Sequence, residues 1–381
     1  MRKIYSPLFT FIQKEAVLCI AGLAAILTMF FVPPTLGYIE YIDFRVLGLL
    51  FCLMAVVSGF NKTGIFILLS EKLLMRVANI RSIALVLVLL SFFTSMWITN
   101  DVALITFVPF AILILTMTGY TKYLITMIVL QTIAANLGSM LTPVGNPQNL
   151  FLYSEYNIPI TEFLKITIPY TILSLLLLYI AIMFIPKEHI SFTLSDTGKT
   201  DKHNPYTIAM YSGLFLVCLA CVLNLIDYRI TILAVFLCIV IFDGTIIKKV
   251  DYSLLLTFVC FFIFVGNIGN IPVIRDFLAS LLNGREFIIS LLASQIISNV
   301  PAAVLLSAFT DNYKAIILGT DLGGLGTLVA SLASLISYKF YLRTSNANSA
   351  RFLGVFTLYN LGFLVVLCLF YYLWNFLSIL A

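Results

Sequence analysis

A chain of 381 residues that is 61% hydrophobic and only 10% charged, with a mean hydropathy of +1.08, is excluded from the ordinary soluble class and reads as an all-α polytopic membrane protein. Its net charge of +5 arises from Lys and Arg in loops, so no nucleic-acid partner is needed to explain it. The seven cysteines all lie inside apolar runs, and the two histidines, His189 and His203, share one polar loop. The Cys218-x-x-Cys221 pair has no His or acidic neighbour and reads as small buried hydrophobes, not as a metal or redox centre.

In chain order, residues 1–14 are mildly basic, and the first apolar run, 16–32, is long enough to span and ends at Pro33-Pro34 without a cleavage pattern, so it is expected to remain. Spanning segments are predicted at 15–33, 44–60, 123–152 (broken), 165–185, 205–225, 229–243, 252–268, 314–342 (broken) and 352–378. Two further apolar regions, 82–118 and 286–310, read as re-entrant hairpins. They are interrupted by Thr99-Asn100-Asp101 and by Ser298-Asn299-Val300-Pro301. For the first, two full spans joined by a tight turn remain an alternative. A short charged amphipathic piece precedes each: 63–77 with Glu71, Lys72 and Arg76, and 271–282 with Arg275 and Asp276. A cytoplasmic N-terminus leaves only Arg45, Lys165, Arg229, Arg275, Arg285 and Lys314 outside, of the 22 Lys and Arg, as the positive-inside rule requires.

The organising stretch is 135–149. Gly138, Pro143, Gly145 and Pro147, with Asn136, Thr142, Asn146, Gln148 and Asn149, must unwind an otherwise apolar helix. Unpaired backbone at membrane depth persists only inside protein or beside a watery cavity. Residues 136–150 align without a gap on 321–335, matching Leu, Gly, Thr, Val and Leu, and Asp43 leading to Asn61 parallels Asp251 leading to Gly269. Close packing of small residues accounts for the glycines but not for the Thr, Asn and Asp. An odd number of crossings separates the copies, which gives two inverted repeats, 1–185 and 205–381, joined by a cytoplasmic linker at 186–204.

Each half then supplies a hairpin tip and a broken helix facing one cavity, where helix ends present N–H groups to anions and C=O groups to cations. Asn100, Asp101, Thr142, Asn146, Asn299, Thr327 and Ser331 are the candidate substrate contacts. Asp101 and Asp321 are the acidic residues of the motifs, and each reads either as a cation or proton carrier or as a helix cap. Asn299 reads also as the cap of its own second helix.

Hairpins with a Ser/Thr-Asn tip and a broken helix G-x-x-x-T-P-x-G-x-P-x-N (Gly138 to Asn149) resemble the ion transporter superfamily, over essentially the whole chain. That group includes divalent-anion:sodium symporters, citrate-transporter-like permeases, arsenite permeases and a class of sodium–proton antiporters. The resemblance implies one Na⁺ site at Ser95, Thr99, Asn100 and Gly145 and another at Ser294, Ser298, Asn299 and Ala330. It also implies a homodimer in the plasma membrane and no cofactor besides Na⁺ as coupling ion. The chain departs from the symporter pattern at Asp101, at Val300 and at Ser331-Leu332-Ala333-Ser334. A carboxylate beside the substrate would repel a dicarboxylate unless it is protonated or Na⁺-bound, and Asn-Asp at the tip is more like the arsenite permeases. The expected function is a Na⁺- or H⁺-coupled secondary transporter of a small anion or oxyacid with elevator-type alternating access. The alternative is a sodium–proton antiporter using Asp101, alone or with Asp321. An enzyme is not expected, since no His, phosphate loop or Cys-His pair is placed to act.

Overall fold

The computed structural model describes residues 15–67, 77, 79–189 and 205–380, with residues 16 and 378–380 described by backbone alone. These residues form sixteen α-helices: α1 (Ala16–Met29), α2 (Phe44–Thr63), α3 (Ile80–Ile98), α4 (Asn100–Met117), α5 (Leu124–Ser139), α6 (Pro147–Glu155), α7 (Ile160–Met183), α8 (Pro205–Val222), α9 (Tyr228–Asp243), α10 (Tyr252–Gly269), α11 (Pro272–Leu282), α12 (Glu286–Ile297), α13 (Asn299–Ser307), α14 (Tyr313–Gly323), α15 (Leu332–Leu342) and α16 (Ser349–Leu380). The chain is a multi-pass membrane protein: α2, α3, α4, α7, α8, α9 with the turn that follows it, α10 and α16 are each long and apolar enough to cross a bilayer.

Local chemistry sets the helix starts. Asp43 accepts from the Val46 amide and Asp251 from the Leu254 amide, so α2 and α10 open on the same aspartate cap. The expected hairpin at 82–118 is α3 and α4, whose 19 and 18 residues are each of spanning length. Its counterpart at 286–310 has legs of 12 and 9 residues, too short to span. The expected interfacial piece at 271–282 is α11, which bends by 113° into α12. Glu71, Lys72 and Arg76 of the earlier piece lie outside the described residues, as does the linker beyond His189.

Two apolar cores divide the helices. One joins α3, α4, α5, α7, α12, α14, α15 and α16; the other joins α1, α2, α8, α9 and α10, with α6 and α13 reaching into it. The first core thus takes the first hairpin with α5, α12, α14 and α15, while α6 and α13 carry the first break and the second hairpin into the other core. One end of the first core is strapped by residues 185–189. Arg81 Nε donates to the Ile185 carbonyl at 2.6 Å, the Ile80 amide to the Glu188 carbonyl at 3.0 Å, and Lys122 Nζ pairs with Glu188 at 2.8 Å. The bonds from Lys122 and Tyr123 hold the Glu188 carboxyl below its ordinary value.

Candidate functional site

Both hairpins turn through one residue in a backbone region that side chains avoid: Thr99 at φ +72° and Ser298 at φ +72°. Such a conformation costs on the order of 1–3 kcal/mol and persists where the surroundings over-determine it. Each tip is fixed by the same bond. The Asn100 amide donates to the Gly145 carbonyl at 3.1 Å, and the Asn299 amide to the Ala330 carbonyl at 3.0 Å. The Asn100 and Asn299 side-chain oxygens accept from the amides of Asp101 (2.9 Å) and Val300 (3.0 Å), so each asparagine, the first residue of its own helix, satisfies one free amide of the first turn, while the cap positions fall to Thr99 and Ser298.

The breaks lie between α5 and α6 and between α14 and α15. Asn146 caps α6 by accepting from the Asn149 amide at 2.8 Å, with Pro147 in the first turn, where its missing N–H costs nothing. Packing behind the tips leaves no room for side chains. A Cβ on Gly138 would stand 2.2 Å from the Phe92 carbonyl and 2.7 Å from Ser95 Oγ; on Gly323 it would stand 2.7 Å from Ser294 Cβ. Thus Ser95 and Ser294 occupy matching places, each buried and each donating to a carbonyl of its own helix, at 2.8 and 2.7 Å.

Between the breaks runs one buried polar network. Asn136 Oδ1 accepts from Asn100 Nδ2 at 3.0 Å and from Ser331 Oγ at 3.1 Å, while its amide donates to the Gly324 carbonyl at 3.4 Å. Asp321 Oδ1 accepts from Asn146 Nδ2 at 3.1 Å and Gln148 Nε2 at 3.4 Å, and Asn146 Nδ2 also reaches Ser139 Oγ at 3.3 Å. Among the described residues Asp321 is the one ionisable acid or base, cysteine and tyrosine aside, that is buried, and no Lys or Arg is buried with it. The citrate transporter (CitMHS) family profile matches residues 8–313.

The chain belongs to the citrate transporter family. It is 34% identical over 327 residues to an uncharacterized transporter of Methanocaldococcus jannaschii, covering 86% of this chain and 88% of that one. It is 28% identical over 366 residues to the inner membrane protein YbiR of Escherichia coli, covering 94% and 95%. The family and its relatives make this chain a membrane transporter.

In this citrate transporter family member, Asn100, Asn146, Ser331 and Asp321 converge on the network, while Asn299 stands beside it, bonded to Ala330, Ser298 and Val300. Thr142 and Thr327 turn away from it: their hydroxyls donate to the Met96 and Gln295 carbonyls, tying each break to its hairpin. Asp101 stands half-buried at the first turn of α4, its carboxylate without a hydrogen bond to any described residue. The sequence placed Asn136 and Gln148 in the organising stretch but made neither a candidate contact, and gave no role to Ser139 or Gln295. The alignment that sets Asn136 opposite Asp321 was the signal available for the first of these; Gln295 stands beside Ser294 on an otherwise apolar leg with nothing to mark it.

Two contacts tie the site's helices to those of the second core. Thr106, about 9 Å along α4 from the tip, donates to Asn61 in the last turn of α2, a helix about 30 Å long. Phe151, about 6 Å past the second start of the broken helix, meets Phe258 and Phe262, which straddle the middle of α10, with ring centroids 6.4 and 5.8 Å away. Lys62 pairs with Asp243 at 2.7 Å, so α2 ends beside the last residue of α9.

Proposed function

We propose that the chain is a secondary active transporter, coupled to Na⁺ or H⁺, that carries a small anion or oxyacid of the carboxylate or arsenite type. The observation that carries this reading is the pair of strained tips, each hydrogen-bonded to a helix break, with one buried polar network running from the first tip across both breaks. Two inverted repeats would account for the paired geometry, since discontinuous helices meeting near the middle of a transporter form its site. Elevator-type access would move the hairpins and broken helices against α1, α2, α8, α9 and α10, which they meet through the apolar surfaces of α6 and α13. Na⁺ would be held at Ser95, Thr99, Asn100 and Gly145 and at Ser294, Ser298, Asn299 and Ala330, where hydroxyl and carbonyl oxygens suit a hard cation. Substrate would meet Asn100, Asp101, Asn146, Asn299 and Ser331, with Thr142 and Thr327 shaping the breaks. The loop charges favour a cytoplasmic N-terminus in the plasma membrane, and a homodimer is the expected assembly.

One observation favours a second reading, a sodium–proton antiporter: the site region carries Asp101 and Asp321 and no balancing buried cation among the described residues. Thermal stabilisation of the purified protein against Na⁺, Li⁺, K⁺, pH, citrate, succinate, sulfate and arsenite separates the two. Na⁺ stabilising only together with one anion supports symport. Na⁺ and protons competing with no anion effect, lost in Asp101→Asn, supports antiport. No response to any of these ligands overturns both.

A further inference from the structure

Asn136 and Asp321 hold the same place in α5 and α14, and each bonds across to the residue that opens the other half's second helix: Asn136 to Ser331 and Asp321 to Asn146. Their remaining atoms differ. The Asn136 side chain is satisfied at both ends, since its oxygen accepts twice and its amide donates to the Gly324 carbonyl. Asp321 has only oxygens. One accepts from Asn146 and Gln148; the other, Oδ2, is buried with no partner on a side chain 2% exposed. A carboxylate oxygen buried in this way lacks a donor or cation, and leaving it so is unfavourable.

We infer that Asp321 Oδ2 binds one exchangeable monovalent cation, a proton or an alkali ion, and that Asn136 makes the opposite half a neutral copy that binds none. The inference rests on the transporter reading and sharpens it to a single coupling charge, in a place separate from the hairpin tips. A proton on Oδ2 turns the carboxyl into the shape of the Asn136 amide, with O–H standing where N–H stands in the other half. The groups facing Asp321 are the amides of Asn146, Gln148 and Asn149, and no charged side chain among the described residues acts on it. The site's occupancy is thus set by the bound cation alone.

The full-length protein in detergent provides the test, with the melting midpoint followed against pH in choline chloride and against NaCl at fixed pH. Infrared difference spectra report carboxyl protonation in the same samples. In the wild type, a midpoint that rises with NaCl identifies an alkali cation; one that rises as pH falls, with a carboxyl band appearing, identifies a proton. Asp321→Asn, which copies Asn136, is expected to fold and to lose at least tenfold of the apparent affinity for that cation, with the Asp321 band gone. If Asp321→Asn is not stable enough to measure, Asp321→Glu, which keeps the carboxyl but moves it, must shift the same response. A wild type that answers to neither ion, or variants that keep the full response, overturns the inference. In proteoliposomes, accumulation driven by the gradient should fall to simple equilibration in Asp321→Asn. Coupled accumulation that survives in this variant sinks the single-site assignment and leaves the transporter reading standing; Asp321-dependent cation binding without transport of any tested solute does the reverse.

Discussion

The backbone amide of Asn100 donates to the carbonyl of Gly145 at 3.1 Å, so the first hairpin tip is seated on the break of the neighbouring helix instead of facing an open cavity. Gly145 must remain without a side chain for this to hold, because a Cβ there would lie 2.1 Å from the Ser139 carbonyl. Gly138 is equally confined against Phe92. Gly145→Ala and Gly138→Ala should each destabilise by about 1–3 kcal/mol or more, since the clash is with backbone that cannot rotate away. Gly354→Ala, where nothing lies within 4 Å, should be neutral or gain up to about 1 kcal/mol of helix stability. Chemical unfolding in detergent ranks the three, and equal midpoints would remove the close-packing argument.

Asn136 joins the two breaks through three hydrogen bonds, and its loss leaves the Asn100 amide and the Gly324 carbonyl without partners inside the protein. Each orphaned group costs roughly 1–3 kcal/mol. Asn136→Ala should therefore lower stability by several kcal/mol and abolish transport, whereas Asn136→Leu should fold no better, because the lost groups are polar. Recovery of stability in Asn136→Leu would show that Asn136 acts by filling space.

Phe151 of α6 and Phe262 of α10 stand with ring centroids 5.8 Å apart inside the second core, where the broken helix meets α10. If the hairpin body slides, this contact exists in one end state and not in the other. Phe151→Cys/Phe262→Cys, in a background freed of the seven native cysteines, should cross-link readily with mercury and stop transport until the bridge is reduced. Transport at the wild-type rate by the cross-linked protein would exclude movement of these bodies past each other.

The strap at residues 185–189 carries a pH dependence whose sign follows from Glu188. Its bonds to Lys122 and Tyr123 lower its carboxyl below the ordinary 4.5. Its contribution is complete above that ordinary value and is lost as pH falls through the lower, folded-state value. A nitroxide on Lys187→Cys should be immobile at neutral pH and gain mobility on acidification below about pH 4.5. In Glu188→Gln the label should be more mobile at all pH values and show no step. A step that persists in that variant would assign the titration to another group.

The paired interruptions, the tips and the helix starts were legible because each breaks a strong local rule: proline and glycine inside an apolar run, Asn before a helix, Asp at an N-cap. Placement of individual side chains was not. Thr142 and Asn146 sit in the same polar stretch, yet one ties the break to Met96 while the other crosses to Asp321, a difference made by tertiary contacts between residues 175 positions apart. The expected Na⁺ ligands Asn100 and Asn299 show the same ambiguity, since their oxygens already accept from the Asp101 and Val300 amides. Spacing reveals that a polar group is present; only the packed fold says which neighbour it meets.

Gln295 shows how much of the second break depends on one side chain outside it. Its amide donates to the Gly323 carbonyl at 2.7 Å and the Leu325 carbonyl at 2.9 Å, and its oxygen accepts from the Thr327 amide at 2.9 Å. Gly326, at φ +108°, packs so closely on it that a Cβ would lie 2.3 Å from its oxygen. These are the backbone groups that unwinding exposes, and α12 satisfies them with a single residue. Gln295→Ala should cost about 2–5 kcal/mol and release the Thr327 amide to solvent exchange. Gln295→Glu keeps the acceptor for Thr327 and loses both donors, so it should protect that amide while remaining destabilised. Hydrogen exchange resolved at Thr327 reads this split directly, and identical exchange in the two variants would mean that the break holds its shape without Gln295.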